Sequence, residues 1–149
     1  MTQEERKKAM YNQGRADAQA LQANAGDMTG TDLNRATQKI PEFAAACKNA
    51  NMLSRPVGFI CRSSAGRVVK LLQVYDSTIY TQEPEELPAQ WGFAWSADPE
   101  KALPFISIST SPYNKGDCCT EDGKTYRSKI DNNVWSPSAY PQGWEGVMT

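Results

Sequence analysis

Small and polar side chains dominate the first 40 residues, and their order along the chain predicts helix. Thr2 and Glu5 have the spacing of a capping box, in which each side chain accepts a hydrogen bond from the other residue's backbone N–H. Strong helix formers fill the run Gln3–Ala25, and Gly26 with Asp27 follows it. We therefore predict one long N-terminal helix that ends near residue 25.

This helix carries little apolar surface. Its apolar positions are mostly alanine, and Leu21 is the single leucine. A helix this poor in apolar area is not stable alone, so it must pack on something. An attachment or oligomerisation helix that packs on other subunits is one interpretation, and packing within the same chain is the alternative.

A shorter helix is predicted next. It begins at Thr29 or Thr31 and stops before Pro41, because the residue before a proline avoids the helical region. Residues 42–51 can add one or two more helical turns.

After residue 40 the pattern changes to short β-branched and aromatic runs separated by turn residues, which is typical of antiparallel hairpins. Gly66 marks the turn of the first hairpin, and Asp122 with Gly123 marks the turn of the second. The predicted hairpins join Gly58–Arg62 to Val68–Tyr75, and Asp117–Thr120 to Lys124–Ser128.

The two hairpins resemble each other as an internal repeat. Each continues through a proline-containing loop to a tryptophan, 25 residues after the turn glycine in the first copy and 21 in the second. Units this small need an aromatic plug, which Trp91 and Trp144 would supply. The matched positions are Gly58 with Gly116, Cys61 with Cys119, Gly66 with Gly123, and Arg67 with Lys124.

Four further predictions concern the aromatic residues and the organisation of the chain. Tyr126 is predicted to lie in the core, and Trp95 either joins the two modules or forms a second exposed platform.

The predicted fold class is α+β, with an N-terminal helical segment followed by two small antiparallel β modules. The predicted divisions are a helical anchoring or oligomerisation segment over 1–40, a connecting segment over 41–54, a degenerate β module over 55–97 and a clearer β module over 98–149.

The second copy resembles the chitin-binding type of small carbohydrate-binding module. The resemblance rests on Tyr113-x-x-Gly116-Asp117, Gly123-x-x-Tyr126 and a final Trp144, with Asn133 and Pro137 between them. It covers Tyr113–Val147, about a quarter of the chain. The first copy is a degenerate version, in which Phe59 stands in place of the aspartate and Val69 in place of the tyrosine.

The whole layout is also similar to small phage and prophage proteins found among tail and other virion genes. These have a charged helix rich in Ala and Gln, a junction such as Ile40-Pro41-Glu42-Phe43, and two such modules. This resemblance implies a virion protein that is assembled in the bacterial host cytoplasm.

The chain departs from the carbohydrate-binding family at its usual sugar-stacking positions, where Ile130 and Asp131 stand in place of exposed aromatic residues. Trp135 is the nearest substitute. A sugar platform needs a flat exposed ring with polar groups beside it, so the candidate carbohydrate-binding residues are Trp135, Tyr140, Asn132, Asn133 and Asp131. The alternative is that Trp135 packs against a neighbouring subunit or plugs its loop.

Composition argues against catalysis and against nucleic-acid or membrane binding. The chain has no histidine, which excludes Ser-His-Asp and Cys-His catalysis. Sixteen basic and 17 acidic residues leave a net charge of −1, so nothing draws the chain as a whole to a polyanion. We predict no cofactor, no metal site and no membrane insertion. The acidic residues between Leu71 and Glu100 are predicted to form a solvated loop.

The start of the chain lacks the pattern of a signal peptide. The four cysteines are predicted to be free, mostly buried thiols, a disulfide from Cys61 to Cys118 or Cys119 being the alternative.

The sequence leaves two main functional hypotheses and a minor one. The first is a non-enzymatic phage virion protein of the tail or receptor-binding apparatus, which contacts host-surface polysaccharide and assembles with itself and other virion proteins through its N-terminal helix. The second is a purely structural virion protein, a head decoration or tail adaptor, that reuses the module as a compact β fold. A small wall-degrading hydrolase is the third.

Overall fold

The computed structural model describes residues 2–147; residues 1, 148 and 149, which the predicted segments include, lie outside that range. The N-terminal helix α1 spans Gln3–Asn24. Its capping box is formed, because the Glu5 N–H donates to the Thr2 hydroxyl over 3.1 Å and the Thr2 N–H donates to the Glu5 carboxylate over 3.3 Å. This part of the sequence prediction is confirmed.

Two short helices follow. One is shorter than the segment predicted for it, and the other agrees with the one or two helical turns predicted within residues 42–51. Helix α2 spans Gly30–Arg35, is capped by Thr29, and is followed by a 3-10 turn at Thr37–Lys39. Helix α3 spans Phe43–Asn49. The second helix does not continue to Pro41 because its last residues tighten into that turn and place Ile40 in the core.

Two small sheets complete the fold. The first holds β1 (Ile60–Arg62), β2 (Val68–Leu71) and β3 (Trp91–Ala94), all antiparallel. The second has the order β4-β5-β6-β7. Its strands are β4 (Leu103–Pro104), β5 (Cys118–Glu121), β6 (Lys124–Ser128) and β7 (Trp144–Val147). The protein is therefore of the mixed α+β class, with an N-terminal helix and two small sheets.

Two details of the strand predictions were wrong. The second module is not purely antiparallel, because β4 pairs in parallel with β5. The strand predicted over Val68–Tyr75 ends at Leu71. Beyond it Leu72 and Val74 are exposed, while Tyr75 turns inward and accepts a hydrogen bond from the Trp91 indole over 3.0 Å.

The helical segment packs on the first module of its own chain through its C-terminal part. Leu21 and Ala25 join Leu33 and Ile40 in a cluster with Ile60 and Val68 of the sheet. The Gln22 side chain bonds both the N–H and the carbonyl of Ile60, over 2.9 and 2.7 Å. The side chains described over residues 2–16 are exposed. Of the two interpretations of this helix, packing within the same chain therefore holds for its C-terminal end but not for its beginning.

The backbone of the two modules repeats. Gly58 and Gly116 both have positive φ angles, of 94° and 100°. Each donates its N–H to the last residue of the second hairpin strand, Leu71 over 2.8 Å or Ser128 over 2.9 Å. The buried Cys61 and Cys119 face Val69 and Tyr126 in the pairing register, as the sequence alignment of the copies predicts.

Each module is closed by its tryptophan. Trp91 is fully buried against Phe43 and Tyr75, with ring centroids 5.8 and 6.2 Å away. Trp144, 5% exposed, lies 5.4 Å from Tyr113 in the second module, and Tyr126 is partly buried beside this cluster. Both tryptophans are the plugs that the sequence predicts.

A stack of aromatic rings joins the two modules. The Trp95 ring lies between Phe93, at 5.6 Å, and Tyr113, at 4.1 Å, with interplanar angles of 17° and 13°. Its indole N–H donates to the Ser111 carbonyl over 2.9 Å. Trp95 therefore joins the modules, and because neighbouring rings cover both of its faces, it is not a second exposed platform.

A buried ion pair also connects the sheets and corrects the prediction of a solvated acidic loop. Glu85 lies 2.8 Å from the Arg67 guanidinium and accepts a hydrogen bond from Ser63 over 2.8 Å. Arg67 donates in addition to the Pro104 carbonyl in β4 over 2.8 Å. The carboxylate of Glu85 is held inside because it neutralises an arginine that is only 8% exposed.

All four cysteines are free thiols, with Cys47 half-buried and the others buried. Among the described residues, no helix is both long and apolar enough to cross a membrane.

Candidate functional site

The loop that follows β6 is built around Asn133. This side chain is fully buried, and its amide donates to the Ser128 hydroxyl and the Gly143 carbonyl, each over 3.1 Å. Its carbonyl oxygen accepts from the Trp135 N–H over 3.3 Å, and its backbone pairs with Tyr113. Asn133 therefore holds the loop in place. Its inclusion among the ligand-contacting residues is corrected, because a surface ligand cannot reach it.

Trp135 projects from this loop with half of its surface exposed, at 50%. Its backbone is fixed at both ends, since its N–H bonds Asn133 and its carbonyl accepts from the Trp144 indole over 2.8 Å. The ring is thus presented by a backbone that is tied to the core of the module. This exposure is what a stacking platform requires.

Tyr140 lies beside Trp135 and is 38% exposed. The two ring centroids are 5.5 Å apart and the planes meet at 63°, so the rings form an edge-to-face pair rather than one flat surface. Tyr140 also covers Gly143, where a Cβ atom would come within 2.7 Å of the tyrosine ring. Trp135 consequently offers the flat face, and Tyr140 borders it.

Asp131 and Asn132 are exposed, but they are tied to the turn at residues 113–117. The Asp131 carboxylate accepts from the Lys115 N–H over 3.0 Å, and the Asn132 N–H donates to the Asn114 side chain over 3.1 Å. Asn132 has a φ of 55°, a conformation that asparagine tolerates better than most residues. Both remain accessible for hydrogen bonds to a ligand at the edge of the site.

Asp117, the aspartate of the pattern Tyr113-x-x-Gly116-Asp117, holds a turn in place. Its carboxylate accepts from the Asn114 N–H over 2.8 Å and closes the turn before β5. Burial raises the pKa of Asp117, and the nearby Asp131 carboxylate raises it further. Phe59 occupies the same place in the first module, with its N–H bonded to the Pro56 carbonyl as the Asp117 N–H is bonded to Asn114.

A cleft of about 490 Å³ that the sequence does not predict lies on the face of the first sheet, between α2 and the turn at residues 110–117. Leu72, Gly92 and Ala94 line it, together with Lys70 and Asp117. The sequence holds no signal for this cleft, because its walls come from four distant segments of the chain.

The buried thiols are poorly suited to nucleophilic chemistry. Burial raises the pKa of Cys119 to about 12, and it raises the pKa of Cys61 still more. A thiol must ionise to attack or to bind a metal ion, and burial opposes ionisation. Over residues 2–147, no group of three or more His, Cys, Asp and Glu side chains is placed to hold a metal ion.

Comparison of the chain with protein-family models, with curated proteins and with solved structures finds no match.

Proposed function

We propose that the chain is a non-enzymatic phage virion protein, of the tail or receptor-binding apparatus, that presents its second module to polysaccharide on the host surface. The observation that carries this proposal is the half-exposed Trp135 ring on a backbone anchored by Asn133 and Trp144. An indole that is held out from a rigid loop can stack on the apolar face of a pyranose without first being ordered.

The surroundings of Trp135 supply the remaining parts of such a site. Tyr140 borders the ring, and Asn132 and Asp131 carry amide and carboxylate groups that can bond sugar hydroxyls. One flat face favours a single sugar ring for each site. We therefore expect weak binding of one module, which several copies in a particle would strengthen by multivalency.

The exposed beginning of α1 supports the virion part of the proposal. Residues 2–16 extend beyond the segment that packs on the first module, and Met10 is 75% exposed there. At 1.5 Å per residue, a helix of this length reaches roughly 20 Å. Such an extension suits attachment to other virion proteins or to further copies of the chain.

The same extension favours a second candidate, a purely structural head-decoration or tail-adaptor protein. In that case Trp135 and Tyr140 would pack against a neighbouring subunit, and the lack of aromatic residues at Ile130 and Asp131 would reflect a module that binds no sugar. The two functions differ in what covers Trp135.

Retention on insoluble chitin and on purified bacterial peptidoglycan tests the first candidate. We expect Trp135→Ala to lower the apparent affinity roughly tenfold or more, as for an aromatic residue that dominates a binding site. Val57→Ala is the matched control, because Val57 is also exposed, at 65%, but lies in the first module. Urea denaturation of each variant checks that the fold is kept.

Retention of Trp135→Ala at the level of the native protein would contradict the stacking role of this residue. If the native protein binds neither polymer and light scattering shows that it forms oligomers, the proposal of carbohydrate binding fails and the structural candidate replaces it.

A further inference from the structure

The repeat of the two modules extends from their hairpins into the loops that follow. In the first module, the N–H groups of Ile79 and Tyr80 both donate to the Asp76 carbonyl, over 3.2 and 3.0 Å. In the second, the N–H groups of Ala139 and Tyr140 both donate to the Ser136 carbonyl, over 3.1 and 2.9 Å. The two turns have the same hydrogen-bond pattern, and both end on a tyrosine.

The residue before each turn is also equivalent. Tyr75 precedes Asp76, and its hydroxyl accepts from the indole of the closing Trp91 over 3.0 Å. Trp135 precedes Ser136, and its carbonyl accepts from the indole of the closing Trp144 over 2.8 Å. Each tryptophan therefore anchors the same point of its own loop.

The tyrosines at the ends of the turns are both exposed. Tyr80 is 53% exposed and its neighbour Ile79 is 69% exposed, against 38% for Tyr140. The position of the Tyr140 ring is partly explained by packing, because the ring covers Gly143 and contacts Trp135. The exposure of Tyr80 places a large ring in water on a turn that is itself well ordered.

Hydrogen bonds within the turn and to Asn51 hold that turn in place. The Asp76 carboxylate accepts from the Thr78 N–H and from the Asn51 side chain, each over 2.9 Å. Hydrogen bonds from Thr78 and Asn51 lower the pKa of Asp76. The side-chain oxygen of Asn51, Oδ1, accepts from the Ser77 N–H over 3.1 Å. Tyr80 is thus presented by a preorganised turn, as Trp135 is presented by its loop.

We propose that Tyr80, with Ile79 beside it, forms a second contact for the same polysaccharide, so that one chain binds one polymer at two places. This inference rests on the proposed function. The Tyr80 ring stacks on a sugar. The Asp76 Oδ1 atom already accepts from Thr78 and Asn51, and Oδ2 of the same carboxylate can accept from a sugar hydroxyl. The contact is smaller than that of the second module, because the counterpart of Trp135 is the buried Tyr75.

A polymer and a disaccharide together test the proposal. On insoluble chitin or peptidoglycan, whichever retains the native protein, we expect Tyr80→Ala to lower the apparent affinity about tenfold, because loss of one of two linked contacts removes the gain from multivalency. Tyr80→Phe keeps the ring and should retain binding. The disaccharide N,N′-diacetylchitobiose has only two sugar rings, so it tests the Trp135 contact apart from the polymer. Its titration, followed by NMR at the Trp135 indole N–H, should be unchanged in Tyr80→Ala.

The possible outcomes separate the two proposals. If Trp135→Ala loses retention and Tyr80→Ala does not, the second contact is overturned and the proposed function stands. If the native protein binds neither polymer, both fail. A change in oligomeric state of Tyr80→Ala, measured by light scattering, would assign Tyr80 to a contact between copies and would also overturn the inference. Val57→Ala again serves as the exposed control.

Discussion

At the scale of single residues, Asn132 and Asn133 show how surroundings decide the role of a side chain. The two are neighbours with the same amide group. Asn132 is exposed in a left-handed turn, whereas Asn133 is fully buried and satisfies the hydroxyl, carbonyl and N–H groups around it. Only Asn132 is available to a ligand, and Asn133 determines where Trp135 lies.

We expect Asn133→Ala to destabilise the protein by about 2–4 kcal/mol, because it leaves buried polar partners without hydrogen bonds and opens a cavity. The free energy of unfolding in urea measures the effect. Asn132→Gly is the control and should change it by less than about 0.5 kcal/mol, since glycine adopts a φ of 55° without strain. Equal stability of both variants would contradict the structural role of Asn133.

At the scale of elements, α2 is fitted closely against the end of the first sheet. A Cβ atom on Gly30 would come within 2.2 Å of the Trp95 carbonyl oxygen, which belongs to the backbone and cannot turn away. The Asn34 side chain, one turn later, donates to the Ala94 carbonyl over 3.0 Å. The position of α2 therefore depends on Gly30, although glycine has a low helix propensity.

Gly30→Ala is expected to lower the stability by about 1–3 kcal/mol, because the helix must move away from β3 to make room for the methyl group. Thermal and urea denaturation would measure the loss. Gly146→Ala in β7 is the matched control, as no heavy atom lies within 4 Å of its added Cβ. A Gly30→Ala variant as stable as the native protein would show that α2 does not pack as closely as described.

At the scale of the whole molecule, the two modules are joined by the aromatic stack around Trp95 and by the pair Arg67–Glu85. The pair lies 2.8 Å apart, and its side chains are only 10% and 14% exposed. Arg67 Nε and Glu85 Oε1 are buried and have no hydrogen-bond partner among the described atoms. The protein therefore does not satisfy every polar atom of this pair. Such pairs position elements more than they stabilise them.

Removal of Arg67 alone is expected to cost more stability than removal of both charges of the pair. Arg67→Met should destabilise the protein by about 3–5 kcal/mol, because Glu85 is left buried and uncompensated. The double variant Arg67→Met with Glu85→Gln should recover part of this loss. A double-mutant cycle from urea denaturation measures the coupling, and additive effects of the two substitutions would contradict it.

Much of the local structure was predictable because it depends on neighbouring residues. The capping box at Thr2, the hairpin turns at Gly66 and Gly123, and the closing roles of Trp91 and Trp144 follow from short-range patterns and were confirmed. Trp135 and Tyr140 are exposed, and their role in binding stays a prediction. The ends of α2 and β2 were not predictable, because tertiary packing decides where each element stops.

The sequence by itself determined the order of helix and hairpins, the repeat, and the positions of the closing residues Trp91 and Trp144. Each of these features depends on residue spacing and on the residues that form turns. Only the tertiary structure decided that Asn133 is buried, that Glu85 neutralises Arg67, and that Tyr80 occupies the place of Tyr140. The physical reason is that burial and ion pairing depend on residues distant in the chain. Likewise, the loops of the repeat differ in length, so their equivalence is visible only in hydrogen bonds.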